Sequence, residues 1–211
     1  QEYNAWSDGN PPDHTTILPF TRLLAGPMDY TPGIFDIRFD RYKKGNKVHS
    51  TLAKQLALMV VIYSPLQMAA DLPENYTGQP AFQFIRDLET DWDESRYLEA
   101  EIGQFVTIAR RYENKWFIGA ITNEHGRTLS IKMSSITDSD MVAECYSDRA
   151  DSDWEQNPTA IHIGSYLAKA SDSLKATLAP GGGLALYLRP VEDSDIDLRP
   201  ISKLLQDQMT Q

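Results

Sequence analysis

The sequence predicts an α/β segment followed by an antiparallel β-sandwich. Two observations carry this. From Leu18 to Tyr63 the chain reads as short helix, brief buried strand, sharp turn and long helix, the rhythm of a (β/α)8 barrel. From Tyr97 onward, short runs of strand-forming residues follow one another at regular spacing with no helical pattern between them.

In chain order, Gln1–Trp6 alternates polar and large groups, as the end of an active-site strand would, and Ser7–Pro12 is a loop by composition. A short apolar helix starts at Pro19 and is stopped by Gly26-Pro27. Met28-Asp29-Tyr30 reads as a brief buried strand, turned by Pro32-Gly33. The charged stretch from Asp36 to Lys47 reads as an exposed loop or short hairpin. Ser50 is a candidate N-cap for a helix over Thr51–Tyr63 that is apolar nearly all round, as suits an outer-ring helix covered by another domain. Ala69–Pro80 is a loop, Ala81–Leu88 a short helix, and Asp87–Ser95 an acidic stretch whose commoner reading is a solvated crossing.

Strands are expected at Phe105–Arg111, Trp116–Thr122, Thr128–Met133, Met141–Tyr146, Ala160–Tyr166, Ser173–Leu178 and Leu184–Leu188. Pro180-Gly-Gly-Gly183 joins two of them as a turn, not a phosphate cradle, since no helix follows. A polar tail leads from Glu192 to a terminal helix at Ile201–Leu205. The boundaries drawn are residues 1–96 for the barrel end, 97–191 for the sandwich and 192–211 for the tail.

Composition narrows the function classes. A net charge of −10 argues against a nucleic-acid partner, which needs a basic face. With 41% apolar residues there is a core to bury, but no run approaches the roughly 18 residues of a membrane span. The single cysteine, Cys145, permits no internal disulfide. Gln1-Glu2-Tyr3 has neither the basic start nor the apolar stretch of a signal peptide, and the chain reads as a piece of a longer protein.

Few residues suggest chemistry. Glu2, beside Tyr3 and Trp6, is a candidate general acid, because an aromatic surround raises a carboxyl pKa by desolvation. His14 and His49 stand singly at expected helix starts, where structural roles are commoner than ligation. Asp29 and Tyr30 could line a pocket or serve packing, and Arg22 could pair with Asp29. Asp91, Asp93 and Glu94 lack the spacing of a calcium loop. Trp92 and Trp154 are sugar platforms by residue type only, with core contacts the commoner reading; Cys145 in a β run is expected buried and inert.

The segments Gln1–Trp6, His14–Phe35, Ser50–Leu58, Tyr63–Tyr76, Asp91–Ser95 and Trp116–Asn123 resemble glycoside hydrolase family 97, in order over about residues 1–190. The resemblance implies a three-part enzyme, β-sandwich, (β/α)8 barrel and C-terminal β-domain, of which this chain is the barrel end and the last domain. It implies an α-glucosidase acting at the non-reducing end of starch-type oligosaccharides, or a retaining α-galactosidase. Glu2 falls on the family's general acid in a Gln-Glu-Tyr-Asn-Ala segment and would also touch a Ca2+ ion whose main ligands lie upstream. A periplasmic or secreted bacterial location and partnership with the N-terminal remainder of the enzyme follow from the same resemblance. The second carboxylate is not in this sequence, so the isolated 211 residues are expected to be inactive and the stereochemistry stays open. The competing class is a non-catalytic carbohydrate-binding or interaction module.

Overall fold

The computed structural model describes residues 9–210. Glu2, and with it the catalytic and metal-ligating assignment, lies outside them. The described residues are mostly antiparallel β-sheet with a few helices. Helix α1 (His14–Ile17) runs into 3-10 turns at Leu18–Phe20 and Arg22–Ala25, so helical structure begins five residues before the expected start at Pro19.

The expected strand at Met28-Asp29-Tyr30 is an extended run without a regular ladder. Met28 N donates to Tyr63 O (3.1 Å) and Ala70 N to Pro32 O (3.1 Å), so two extended segments run side by side in the same direction. Five residues on one run, Met28–Pro32, match eight on the other, Tyr63–Ala70, which prevents regular pairing. Arg38 and Lys47 form an isolated antiparallel bridge, closing the expected short hairpin.

Between the parallel runs lies helix α2 (Leu52–Val61), every residue of which is buried. Its N-cap is Thr51, not Ser50: the Thr51 hydroxyl accepts from Lys54 N (3.2 Å), while Ser50 Oγ donates to Thr51 O (2.9 Å). Two short helices follow, α3 (Pro73–Tyr76) and α4 (Phe82–Asp87).

Eight strands come next: β1 (Glu94–Glu101), β2 (Phe105–Tyr112), β3 (Lys115–Thr122), β4 (Arg127–Lys132), β5 (Met141–Asp148), β6 (Ile161–Ala168), β7 (Ser173–Leu178) and β8 (Gly183–Pro190). All seven expected strands are present within two residues at each end; β1 was not expected. Six form one antiparallel sheet in the order β1-β2-β3-β8-β5-β6, and β4 pairs with β7. Helix α5 (Leu204–Thr210) ends the described chain.

The period-2 alternation of the central strands explains the layering. On β3, Phe117 and Ile121 join a core with Leu56, Val60, Val61, Tyr30 and Phe84. Ile118 and Ala120 point to the other face and pack with Leu129, Ile131, Leu174 and Ala176 of the β4–β7 pair, with Ile201 and Leu204. Gly119 lets α2 lie directly on the sheet, since a Cβ there would sit 2.6 Å from Ala57 O. No helix among the described residues is long and apolar enough to cross a membrane.

Candidate functional site

In parallel β/α arrangements the loops at the carboxyl ends of the strands carry function. Here that end is the turn Pro32–Phe35 and the loop at Ala69–Leu72. Asp71 ties the two together: Oδ2 accepts from Phe35 N (2.7 Å) and Asp36 N (2.8 Å), while Oδ1 accepts from Leu72 N (2.8 Å) and Asn75 Nδ2 (2.7 Å). From below, Gln55 Oε1 of α2 accepts from Gly33 N (3.0 Å) and Ile34 N (3.2 Å). Tyr76 OH donates to Gly33 O at 2.8 Å. The turn is thus held by side chains from three elements.

Two cavities open at this end. A groove of about 850 Å³ is lined by Asp71, Tyr76, Gln79, Phe82, Gln83 and Arg86. Phe82, half-buried there, is stacked on Tyr76 (4.6 Å) with the Arg86 guanidinium 5.7 Å from its centroid. A smaller cavity of about 380 Å³ lies between Asp36 and the β-domain residues Thr159 and Ile161. Partial burial and the neighbouring Asp71 push the Asp36 carboxyl above the ordinary carboxylate range.

Beside this end sits a buried polar cluster that the sequence did not reveal. Lys54, 1% exposed, donates from Nζ to Pro12 O (2.7 Å) and Thr122 O (2.8 Å). Burial pushes its pKa down to about 7, against the pull of Glu124, Asp148 and Asp13. Asp148, at the end of β5, is pushed up to about 7, again by burial, against the Thr51 hydroxyl, two backbone N–H groups and Lys54. Its Oδ2 accepts from Ala179 N (2.9 Å) and Gly183 N (2.8 Å). The glycine run is a turn, as expected, but it is also wrapped on this carboxyl: a Cβ on Gly182 would stand 1.9 Å from Oδ2. Lys54 and Gln55 are polar exceptions in an otherwise apolar helix, and that was the only available signal.

The remaining candidates disperse. Tyr30 is buried and Asp29 exposed, and Arg22 donates to the carbonyls of Gly26 (3.3 Å) and Pro27 (3.4 Å). His14 lies in α1; His49 meets the edge of Trp154 at 4.9 Å. Lys47 Nζ sits 4.7 Å over the Trp154 ring, so that indole pins the Asp153–Asn157 loop rather than offering a bare sugar platform. Trp92 packs on Phe117 at 5.3 Å. Asp91 accepts from Tyr63 OH (2.7 Å), Asp93 from Glu113 N (2.7 Å), and Glu94 pairs with Arg96 and Arg111 (2.6 and 3.2 Å). Asp93 and Glu94 share Arg111 (3.4 and 3.2 Å) while Asp91 serves Tyr63, and among the described residues no three metal-ligating side chains come together. Cys145 is buried, its thiol pushed up to about 12 by desolvation, as an inert core residue should be.

Comparison with known proteins places this arrangement. Residues 91–189 match the family model described as "Glycosyl-hydrolase 97 C-terminal, oligomerisation". The chain is 34% identical over 190 residues to a retaining alpha-galactosidase of Bacteroides thetaiotaomicron, covering 83% of this chain and 27% of that protein. It is 38% identical over 111 residues to a probable retaining alpha-galactosidase of Streptomyces bingchenggensis, covering 52% of this chain and 16% of the relative. Among solved structures, a glycoside hydrolase family 97 enzyme from Pseudoalteromonas sp. strain K8, its E480Q form in complex with panose, is 43% identical. It superposes with a TM-score of 0.84 over 89% of this chain and 30% of that one. The same enzyme is also known in complex with acarbose. The chain therefore spans under a third of the length of these relatives, and it belongs to glycoside hydrolase family 97, whose C-terminal region its β-sheet domain represents.

Proposed function

We propose that this chain is the closing segment of a catalytic barrel joined to a C-terminal β-domain, in an enzyme that hydrolyses α-glucosidic linkages at the non-reducing end of starch-type oligosaccharides. The observation that carries the substrate reading is the 43% identity to an enzyme whose complex holds panose, a glucose trisaccharide. The barrel reading is supported by the two parallel extended runs joined through α2, with both cavities at their carboxyl ends.

In this reading Glu2 is the general acid. Its carboxyl O–H gives a proton to the glycosidic oxygen as the C–O bond breaks, neutralising the charge that develops on the leaving sugar. The second carboxyl group would come from the N-terminal remainder of the enzyme. Ca2+ belongs to this proposal through Glu2 and upstream residues only; the described residues do not fit a calcium site by themselves, and no step is routed through the ion. A periplasmic or secreted location belongs to the same proposal. Retaining α-galactosidase activity is the second reading, favoured by the names of the two relatives at 34% and 38% identity.

Glu2→Gln in the full-length enzyme tests the assignment. Hydrolysis of panose or maltose should fall by about 10²- to 10⁴-fold, the usual worth of a positioned proton donor, with substrate binding retained. Turnover near normal would give Glu2 a structural role and overturn its assignment as the proton donor. Wild-type preference for an aryl α-galactoside over the α-glucoside would favour the second reading.

A further inference from the structure

We propose that two copies of this chain pair about a two-fold axis, the basic hairpin at residues 38–47 of each meeting the acidic turn at residues 191–197 of the other. The hairpin holds Arg38, Arg41, Lys43, Lys44 and Lys47 against one carboxylate, Asp40, a net +4 in a chain of net −10. Two of the cations secure its base: Arg38 Nη2 donates to Gln156 O (2.7 Å), and Lys47 Nζ lies 4.7 Å over Trp154. Gly45, in the left-handed region at φ +84°, donates from its N–H to Asp40 Oδ1 (3.3 Å) and closes the turn. Arg41 and Lys44 stand exposed at the tip, with Tyr42, 46% exposed, between them in sequence.

The acidic turn has the converse make-up. Glu192, Asp193, Asp195 and Asp197 stand there with no cation among them. Asp195 pins the turn to the β-domain, accepting from Arg189 Nη1 (2.7 Å) and Nη2 (2.9 Å). Asp193 and Asp197 are exposed around Ile196, itself 79% exposed. The two features lie at opposite ends of β5. The hairpin is fixed to the loop that follows Asp148, whereas Pro190, just before the turn, pairs with Met141 at the start of the strand. A strand of eight residues separates its ends by roughly 23 Å. The opposite charges therefore stay apart within one copy, but a two-fold axis set across β5 brings each to its complement twice and closes the assembly. Nucleic acid or an anionic lipid surface would take the hairpin and repel the −14 carried by the rest of the chain. A second copy answers both signs. The family model matching residues 91–189 is described by oligomerisation, and the layout of charge assigns the surfaces.

Sedimentation velocity of the full-length enzyme tests this. At micromolar concentration and about 50 mM salt it should run as a dimer, with a Kd that rises at least about tenfold by roughly 500 mM salt as the charges are screened. Arg41→Glu with Lys44→Glu should give monomers, and so should Asp193→Lys with Asp197→Lys, because like charges then face each other. Mixed in equal amounts the two double variants should dimerise again, since every facing pair is opposite once more. A wild type that is monomeric, or whose Kd ignores salt, overturns the proposal. So do double variants that dimerise alone, a mixture that stays monomeric, or a mass that keeps growing with concentration, the mark of open head-to-tail stacking. Monomers that bind phosphatidylglycerol vesicles instead would make the hairpin a lipid contact and overturn it as well. Should a double variant not fold, Lys44→Ala and Asp193→Ala must each raise the Kd, or the proposal falls.

Discussion

Asp148 and Lys54 show what a residue's type can conceal. Lysine in a helix suggests solvent, and only the apolar helix around this one hints at its 1% exposure. The pair has a consequence for stability against pH. Asp148 titrates near 3.8 when unfolded and near 7 when folded, so between those values the folded state holds the extra proton. Its contribution is present below about pH 4 and is lost as pH rises through 7. Lys54 is shifted down from 10.5 to about 7, so the unfolded chain binds more protons over that range, and stability recovers as pH rises from 7 toward 10.5. In Asp148→Asn the acid-side dependence should disappear. Urea midpoints measured from pH 4 to 7 should therefore show the wild type's advantage over the variant shrinking as pH rises; parallel profiles would contradict the shifted carboxyl. Cys145 was legible by contrast, because it shares the apolar face of an expected strand with Met141 and Ala143.

At the scale of elements, the β-domain supplies the ends of α2. Thr51 N donates to Gly181 O (3.2 Å) and Leu52 N to Pro158 O (2.7 Å), satisfying donors that a helix start leaves without partners. At the other end Arg110 of β2, 4% exposed, donates from Nε to Val60 O (2.6 Å) and from Nη2 to Val61 O (3.3 Å), placing a cation at the negative pole of the helix. Arg110→Met should cost about 2 kcal/mol, the scale of a buried charged hydrogen bond, read by equilibrium urea unfolding. A change below about 0.5 kcal/mol, the range of an ordinary surface substitution, would deny the capping role. Sequence patterning found α2 and seven strands because their apolar periodicity is strong. It missed β1, an edge strand in which Glu94, Glu99 and Glu101 dominate and alternate residues are only half-buried, so the charges outweighed the pattern. The parallel runs were half legible: burial of Met28 and Tyr30 is encoded locally, whereas regular pairing depends on partners far along the chain.

For the whole molecule, one apolar core is shared across the boundary drawn near residue 96. Leu56, Val60, Tyr30 and Phe84 on one side of it pack with Val106, Phe117 and Tyr146 on the other. The chain should accordingly unfold in a single transition, with tryptophan fluorescence and far-UV circular dichroism giving coincident midpoints; two separated steps would mean the halves stand alone. The boundary was drawn where hydrophobic periodicity changes from helical to alternating, and that change marks a switch in local structure without marking a gap in packing. The shared capping of α2 also bears on how such enzymes can be recombined. A chimaera made by splicing an unrelated β-module after residue 96 would strip both poles of this helix at once, because the acceptors at Pro158 and Gly181 and the guanidinium of Arg110 all lie beyond the splice. A graft that keeps this helix in place has to bring those three contacts with it.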